Sequence, residues 1–412
     1  MRIWGLALAL LVGCASEPAP PAPASPSPTP AAASATPAAA ALDGPVATPR
    51  SSGIRLAPAS ELPAGAREKA LSALAAVVDR EAADPRNAWA LAHGLLARGP
   101  SFVATDGRLA RDVLVADFLE EGPSFPRTRG DVRVEPHEDL ILKSLVEAGV
   151  ALDEPIGAKG PPLRALVEAS QGAFTPSHDE GQTSIFPDGN DAPWSVQAWC
   201  QAAASGGATT WTSAAGPASL EDAAGSLLSL LERETHPVRA AAARGVPVTK
   251  NKQDIFRYTC GGAHLFQGVE ACLAAGWPQQ EGARSRFATL AGLYLYRVPS
   301  ETTMVDQALT QYPQLAILLI NQDVKFLGHL LESLGKAQRD GLWTPANGER
   351  QLLDQAEARL LQDVVQLQKL GAYEPGTMSQ LAGEPQTFQM YLDLVGDAAH
   401  ALRGLEIQAA LR

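Results

Sequence analysis

The chain has 412 residues, which is enough for two or three domains of ordinary size or for one large repetitive domain. Hydrophobic residues make up 46% and charged residues 19%, a composition typical of a globular protein. The 45 Asp and Glu residues outnumber the 33 Lys and Arg residues, and the net charge of −12 excludes a basic nucleic-acid binder, while four Cys without paired CxxC spacing exclude a disulfide scaffold and a zinc finger.

Residues 1–13 predict a signal peptide that is followed by a lipidation site. Their apolar core, residues 3–12, is too short to cross a bilayer, which takes about 20 residues. The box Leu11-Val12-Gly13-Cys14 resembles the lipobox of bacterial lipoproteins. The resemblance implies that the Cys14 thiol is acylated, for example with palmitate, and anchors the mature protein on the periplasmic side of a membrane. Ala15 favours the outer membrane, and an ordinary signal peptide that contains a cysteine is the alternative.

Residues 14–58 predict a disordered tether between the lipid and the folded body. The 36 residues from 15 to 50 contain 10 Pro and 13 Ala, and few of their side chains could form a core. Pro-rich chains of this kind are extended, at about 3.1 Å per residue. The folded body is therefore predicted to span residues 59–412.

Nearly every segment of the body has apolar residues at helical spacing, and alternating runs of strand length are nearly absent. Gly-Pro, Asp-Gly and similar turn signals separate the segments. The predicted helices are 66–80, 87–98, 108–120, 137–150, 163–171, 194–204, 220–235, 238–244, 260–275, 282–297, 303–312, 315–339, 348–370 and 386–411. The pattern predicts an all-α fold of stacked helical hairpins, with one long irregular stretch, 172–193, as a candidate functional loop.

Several predicted helices have an apolar face opposite a small polar face with few charges. Surface helices usually carry Lys and Glu on such a face, so these faces indicate the wall of an enclosed, semi-polar cavity; a solvated surface is the alternative. The candidate cavity and ligand residues are Cys260, His264, Gln267, His329, Trp194, Gln197 and His137. On the helix of Cys260, the opposite face contains Phe266 and Val269, which are predicted to pack against an outer helix.

Inward polar faces of this kind are required by an α/α toroid, in which inner helices surround a central cavity. The segment 338–343, Gln-Arg-Asp-Gly-Leu-Trp, resembles the Gln…Asp-Gly-x-Trp turn of squalene-cyclase-like toroids. Cys260-Gly261-Gly262-Ala263-His264 and the later Gly328-His329 resemble an uncharacterised group of secreted bacterial proteins with a terpenoid-cyclase or prenyltransferase-like toroid. The likeness implies the toroid shape. The Asp-x-Asp-Asp acid of the cyclases and the Asp-x-Cys zinc pair of the prenyltransferases are missing, so it implies neither activity.

The cysteines and histidines leave several interpretations open. In an oxidising compartment Cys200 can pair with Cys260 or with Cys272, whereas Cys260 and Cys272 in one helix would lie about 18 Å apart. A Cys260–His264 nucleophile is a further possibility. Three converging imidazoles, from His137, His264 and His329, would form a zinc site, but structural histidines are the favoured interpretation, so no metal and no cofactor are predicted.

Carboxylates near the irregular stretch suggest acid/base chemistry on a glycan. The candidates are Asp179, Glu180, Asp188 and Asp191. A solvated acidic loop that caps a helix is the favoured interpretation. The sequence as a whole predicts a binding or scaffold lipoprotein of the cell envelope, with a glycan, lipid or protein partner and no nucleic acid. A hydrolase or lyase that acts on an envelope glycan or lipid is the alternative.

Overall fold

In a computed structural model, residue 62 and residues 64–122, 124–129, 132–175 and 189–412 are described. The fold of these residues is all-α, as predicted. The helices are α1 (Ala66–Glu81), α2 (Ala88–Arg98), α3 (Ala110–Val113), α4 (Leu140–Glu147), α5 (Leu163–Ala173), α6 (Ala192–Ala204), α7 (Leu220–Glu234), α8 (His236–Arg244), α9 (Ala263–Ala274), α10 (Ala283–Tyr296), α11 (Val298–Gln311), α12 (Ala316–Arg339), α13 (Asn347–Lys369), α14 (Pro375–Gly383) and α15 (Phe388–Ala410). The predicted signal peptide, lipidation site and tether lie outside the described residues.

The strands are confined to two short antiparallel ribbons within the described part of the chain. Strand β1 (Thr128–Arg129) pairs with β2 (Val132–Arg133), and β3 (Thr210–Ser213) pairs with β4 (Gly216–Ser219). Ser219 ends β4 and caps α7, because its Oγ accepts the backbone N–H of Asp222 at 3.2 Å. The β3–β4 ribbon therefore leads directly into a helix.

Parts of the predicted helix pattern differ from the structure. In place of the helix expected over 108–120, α3 ends at Val113 and is followed by the π-helical turn Leu114–Phe118. Helix α14 was not predicted; it begins at Pro375, since proline is accommodated in the first turn of a helix. The helix expected from Cys260 begins at Ala263, because the three residues before it have left-handed backbone conformations.

Six helices pack against one another in a closed circuit. Along the circuit α2 contacts α4, α4 contacts α6, α6 contacts α9, α9 contacts α12, α12 contacts α15, and α15 contacts α2. The helices that pack on them from outside include α1 against α15, α7 against α9, and α13 against α12. Along the chain, α7 lies between the inner helices α6 and α9, and α13 lies between α12 and α15.

Helices α12 and α15 approach each other most closely at two glycines. A Cβ atom on Gly328 would lie 2.9 Å from the backbone nitrogen of Ala401, and one on Gly404 would lie 2.9 Å from that of Glu332. Helix α12 is also buried on its polar face, since His329 and Ser333 are as inaccessible as Leu327. That face therefore lies in the interior of the body and not on its surface.

A disulfide joins two helices of the circuit. Cys200 on α6 is bonded to Cys272 on α9, with the two Cα atoms 4.9 Å apart. The pairing is one of the two that the sequence left open, and Cys260 lies outside it.

Phe266 and Val269 of α9 are 3% and 1% exposed, and the Phe266 ring packs on Phe287 of α10 at 4.6 Å, as predicted. Among the described residues, no helix combines the length and the apolar character that a membrane crossing requires.

Candidate functional site

A pocket inside the six-helix circuit brings five of the seven histidines of the chain together. Its volume is about 60 Å³, and every helix of the circuit contributes at least one side chain to its wall. The histidines are His93, His137, His264, His329 and His400. The wall also contains the indoles of Trp89 and Trp194, and the thiol of Cys260.

Five of the seven predicted cavity residues line this pocket: Trp194, His137, Cys260, His264 and His329. The other two, Gln197 and Gln267, do not. Gln197 Nε2 donates to Glu147 Oε2 at 2.7 Å, and Gln267 Nε2 donates to Ser333 Oγ at 3.1 Å. Both glutamines lie on the predicted face of their helix, one turn beyond the pocket, where the neighbouring helix covers them.

Two pocket histidines, His93 and His400, were missed by the sequence analysis. They lie on α2 and α15, whose apolar residues surround the helix and leave no contrasting polar face. One signal was available: His93, His264, His329 and His400 each directly follow an Ala or a Gly.

The rings of the pocket form a continuous series of contacts. His137 stacks on Trp194 at 4.3 Å, and Trp194 lies 4.5 Å from His264. His264 contacts His329 edge-on at 5.1 Å, and His329 lies 3.8 Å from His400. These contacts restrict each ring to one orientation, so the site is preorganised.

The hydrogen bonds of the histidines define which ring nitrogens carry hydrogen. His93 Nδ1 lies 2.7 Å from the Trp89 carbonyl and His329 Nδ1 lies 2.8 Å from the Lys325 carbonyl. A carbonyl only accepts, so each Nδ1 donates and the Nε2 of the neutral ring keeps a lone pair. Among the described residues, His329 Nε2 is buried with no hydrogen-bond partner, and His264 Nδ1 is in the same situation.

Burial keeps these imidazoles neutral. Burial lowers the pKa of His93 to about 3 and holds the pKa values of His264 and His329 well below the ordinary value. Burial also lowers the pKa of His400, although the carboxylate of Glu332 acts in the opposite direction. At neutral pH these four histidines therefore present imidazole lone pairs and not imidazolium cations.

A buried network of charges supports one side of the pocket. Glu332 Oε1 accepts from Lys336 and Arg403 at 2.8 Å each, and its Oε2 accepts from His400 Nδ1 at 2.6 Å. Glu147 accepts from the same two cations and from Lys143, whose Nζ lies 2.7 Å away. The network connects α4, α12 and α15, and it orients the His400 ring.

Cys260 reaches the pocket through a strained turn. Cys260, Gly261 and Gly262 have φ values of 52°, 62° and 84°, all in the left-handed region. For a cysteine this conformation costs on the order of 1–3 kcal/mol, so the surrounding structure must hold it. Arg297, which is buried, donates from Nη1 to the Gly261 carbonyl at 2.8 Å and pairs with Glu301 at 2.7 Å. The result is that the Cys260 Sγ and one nitrogen each of two imidazoles, those of His264 and His329, lie within 4.8 Å of one another.

Of the predicted acid/base residues, Asp179, Glu180 and Asp188 lie outside the described residues. Asp191 directly precedes α6, with Oδ1 3.0 Å from His137 Nδ1 and Oδ2 2.7 Å from Arg127 Nη2. Burial alone would raise the pKa of Asp191, but these two hydrogen bonds outweigh it and hold the pKa below the ordinary value. Asp191 is thus a fixed anion that orients His137.

Asp191 also lines a second, open groove of about 320 Å³ beside the pocket. The groove contains Asp139, Ser170 and Trp199. Burial raises the pKa of Asp139, whose carboxylate accepts the Ser170 hydroxyl at 2.6 Å. The pKa values of Asp139 and Asp191, two of the three carboxyl residues that line the groove, are therefore shifted in opposite directions.

Comparison with protein-family models, with curated proteins and with solved structures finds no match for this chain. The chemistry of the two sites follows from their own geometry.

Proposed function

We propose that this protein is a lipid-anchored binding protein of the bacterial cell envelope and that its central pocket holds an ion-sized ligand. The observation that carries the proposal is the convergence of five histidines on one pocket, with the buried nitrogens of His264 and His329 left without a partner among the described residues. An unsatisfied buried polar group costs about 1–3 kcal/mol. A ligand that coordinates these two nitrogens, or forms hydrogen bonds with them, removes that cost.

The size of the pocket restricts the class of ligand. A volume of about 60 Å³ is far below the roughly 300–1,000 Å³ of sites that take drug-sized molecules. Its cations are paired, Lys143 with Glu147 and Lys325 with Asp393 at 3.3 Å. The pocket therefore offers imidazole lone pairs to a cation and paired Lys side chains to a small anion, and its size suits a metal ion or a molecule of a few atoms.

The proposed architecture is an α/α toroid on a tether. The closed circuit of six inner helices supports the toroid, since the pocket lies inside that circuit. The lipobox resemblance and the Pro/Ala-rich stretch support a mature protein that begins at Cys14 and holds its body on the periplasmic side, at the outer membrane. An envelope glycan, lipid or protein is the partner expected there.

Filling the pocket tests the binding function. Ser144 on α4 is fully buried and lines the pocket, and its hydroxyl donates to the Leu140 carbonyl at 2.8 Å. We expect at least one of four probes, Zn²⁺, Cu⁺, phosphate or acetate, to bind the wild type with 1:1 stoichiometry in calorimetry and to lose binding in Ser144→Leu. The smaller Ser144→Val replaces it if the leucine variant does not fold.

The control for this experiment is Ser229→Leu. Ser229 on α7 makes the same kind of hydrogen bond, to the Gly225 carbonyl at 2.9 Å, and lies outside the pocket. The control must retain binding. If none of the four probes binds the wild type, or if the pocket variant binds as well as the control, the proposed function is wrong.

Hydrolysis or elimination on an envelope glycan or lipid is the second candidate function. The oppositely shifted pKa values of Asp139 and Asp191 in the open groove favour it, because acid/base catalysis requires one protonated and one ionised carboxyl group. Incubation with purified peptidoglycan tests it. Wild type should release soluble fragments and Asp139→Asn should not; a wild type that releases none contradicts this candidate.

A further inference from the structure

We propose that the central pocket binds a zinc ion through the thiolate of Cys260 and one ring nitrogen each of His264 and His329. This inference rests on the proposed binding function and identifies its ligand. The three residues come from separate elements, the left-handed turn before α9, the first turn of α9, and the middle of α12. Cys260 and His264 lie four residues apart in the chain, and only the fold brings His329 to them.

The donor atoms fit zinc in kind and in spacing. Sulfur and imidazole nitrogen are the ligands that zinc prefers, whereas magnesium and calcium require oxygen. Zinc bonds of about 2.0 Å to nitrogen and 2.3 Å to sulfur place tetrahedral ligands roughly 3.3–3.6 Å apart. The three donors already lie within 4.8 Å of one another, so small side-chain rotations complete the coordination.

The hydrogen bond of His329 is the one that a metal-bound histidine requires. Its Nδ1 donates to the Lys325 carbonyl, which fixes the tautomer and leaves the lone pair on Nε2. Metal-ligating histidines almost always donate their other ring nitrogen to a carbonyl or a carboxylate in this way. His329 is 1% exposed and its Nε2 has no partner among the described residues, so the lone pair of this nitrogen can coordinate a metal ion or accept a hydrogen bond from a ligand.

The left-handed turn before α9 positions the Cys260 side chain. Its three left-handed residues direct the cysteine toward the two histidines, and the hydrogen bond from Arg297 to the Gly261 carbonyl stabilises the turn. The disulfide joins Cys200 and Cys272, and Cys260 is not part of it. Cys260 is also only partly buried, unlike the two histidines, which gives an ion a path into the site.

His400 is the nearest further donor. Its ring lies 3.8 Å from that of His329 and 5.7 Å from that of His264, and its Nδ1 donates to Glu332. Its Nε2 is likewise buried without a partner in the described residues. A histidine that binds zinc commonly donates its other ring nitrogen to a carboxylate. We therefore assign His400 as the fourth zinc ligand, or as the residue that binds a water molecule in the fourth coordination position.

Metal loading of the purified, reduced protein tests the assignment. Elemental analysis after dialysis against Zn²⁺ should give one zinc per chain. Co²⁺ in place of zinc should give the intense visible bands of a tetrahedral site together with a sulfur-to-cobalt charge-transfer band. In Cys260→Ser the charge-transfer band should disappear, and in Cys260→Ser, His264→Ala and His329→Ala the zinc affinity should fall by about 100-fold or more.

A control variant separates the ligands from other histidines. His236 on α8 is exposed and lies outside the pocket. His236→Ala should keep one zinc per chain and the cobalt spectrum. Circular dichroism and urea unfolding of each variant establish that a lost signal does not come from a lost fold.

The outcomes separate this inference from the binding function. If phosphate or acetate binds and Ser144→Leu abolishes that binding, while no metal binds, the zinc assignment is wrong and the binding function stands. Binding of Cu⁺ but not of Zn²⁺ overturns zinc as the ion. Zinc that binds equally well to the three ligand variants overturns the ligand set. Failure of all four probes overturns both proposals.

Discussion

The imidazole rings of His329 and His400 lie 3.8 Å apart, and each directs its Nδ1 hydrogen away from the other ring. His329 donates to the Lys325 carbonyl on its own helix, and His400 donates to the Glu332 carboxylate across the α12–α15 contact. Both Nε2 atoms are thereby left as buried lone pairs without a partner in the described part of the chain. Two buried atoms without a partner are costly unless a ligand uses them.

The Glu332 carboxylate pairs with two buried cations and orients the His400 ring, so its removal should destabilise the folded protein. We expect Glu332→Gln to lower the free energy of unfolding by about 3–5 kcal/mol, because Lys336 and Arg403 would share the single carboxylate of Glu147. Urea denaturation measures the change. Glu384→Gln is the control: this glutamate is exposed, and its substitution should change stability by less than about 0.5 kcal/mol. Equal stabilities of the two variants would contradict the described network.

His93 should make the stability of the protein depend on pH. Its pKa is about 3 in the folded state, whereas an ordinary histidine pKa in the unfolded chain is about 6.5. Between these two values the unfolded chain binds a proton at His93 and the folded chain does not. The stabilising contribution is therefore present above about pH 6.5 and is lost as the pH falls toward 3. Between pH 6 and pH 4, wild type should lose about 1.4 kcal/mol per pH unit more than His93→Gln.

Urea titrations at several pH values measure this difference. His236→Gln, at an exposed histidine of α8, is the control for the loss of one imidazole from the chain. A His93 variant with the wild-type slope would mean that the His93 ring is protonated as easily in the folded chain as in the unfolded one.

Helical periodicity predicted the fold class and most of the pocket wall. Trp194, His264 and His329 were found because each lies on an uncharged face opposite an apolar stripe, and that contrast marks a direction around the helix axis. Periodicity carries no information about depth along the axis. Gln197 and Gln267 share the inward direction, but they lie where adjacent helices meet and bond to Glu147 and Ser333 instead.

Other parts of the site had no sequence pattern to reveal them. His400 lies on a helix that is buried nearly all around, so no face stands out. The left-handed turn at Cys260 was predicted as helix, because two glycines adopt either hand and the packing of Ile255 and Arg297 decides between them. The choice between two possible disulfides likewise depends on the distance between α6 and α9, which no spacing along the chain contains.

Lipidation at Cys14 is tested by fractionation. We expect Cys14→Ser to abolish recovery of the protein in the membrane fraction and in the detergent phase, because the thioether anchor can no longer form. Metabolic labelling with a palmitate analogue should mark the wild type only. Ser16→Ala, two residues further on, is the control and should remain in the membrane. Membrane association of the Cys14 variant would contradict the predicted anchor.

Gly262→Ala tests whether the left-handed turn positions Cys260. Gly262 has a φ of +84°, and a Cβ atom there would lie 2.3 Å from Ile255 Cδ1, so the turn must shift. We expect a loss of about 1–3 kcal/mol in the free energy of unfolding and at least tenfold weaker zinc binding, since the Cys260 thiol moves with the turn. Urea denaturation and competition with a chromophoric chelator measure the two effects.

The control is Gly276→Ala, just beyond the end of α9. Gly276 has a φ of +92° and no atom within 4 Å of the added Cβ position, so alanine there meets the same backbone strain without a collision. This variant should lose stability and keep the zinc affinity of the wild type. If both glycine variants lose stability and both keep zinc, the turn is a structural feature only, because a displaced Cys260 cannot leave the affinity unchanged.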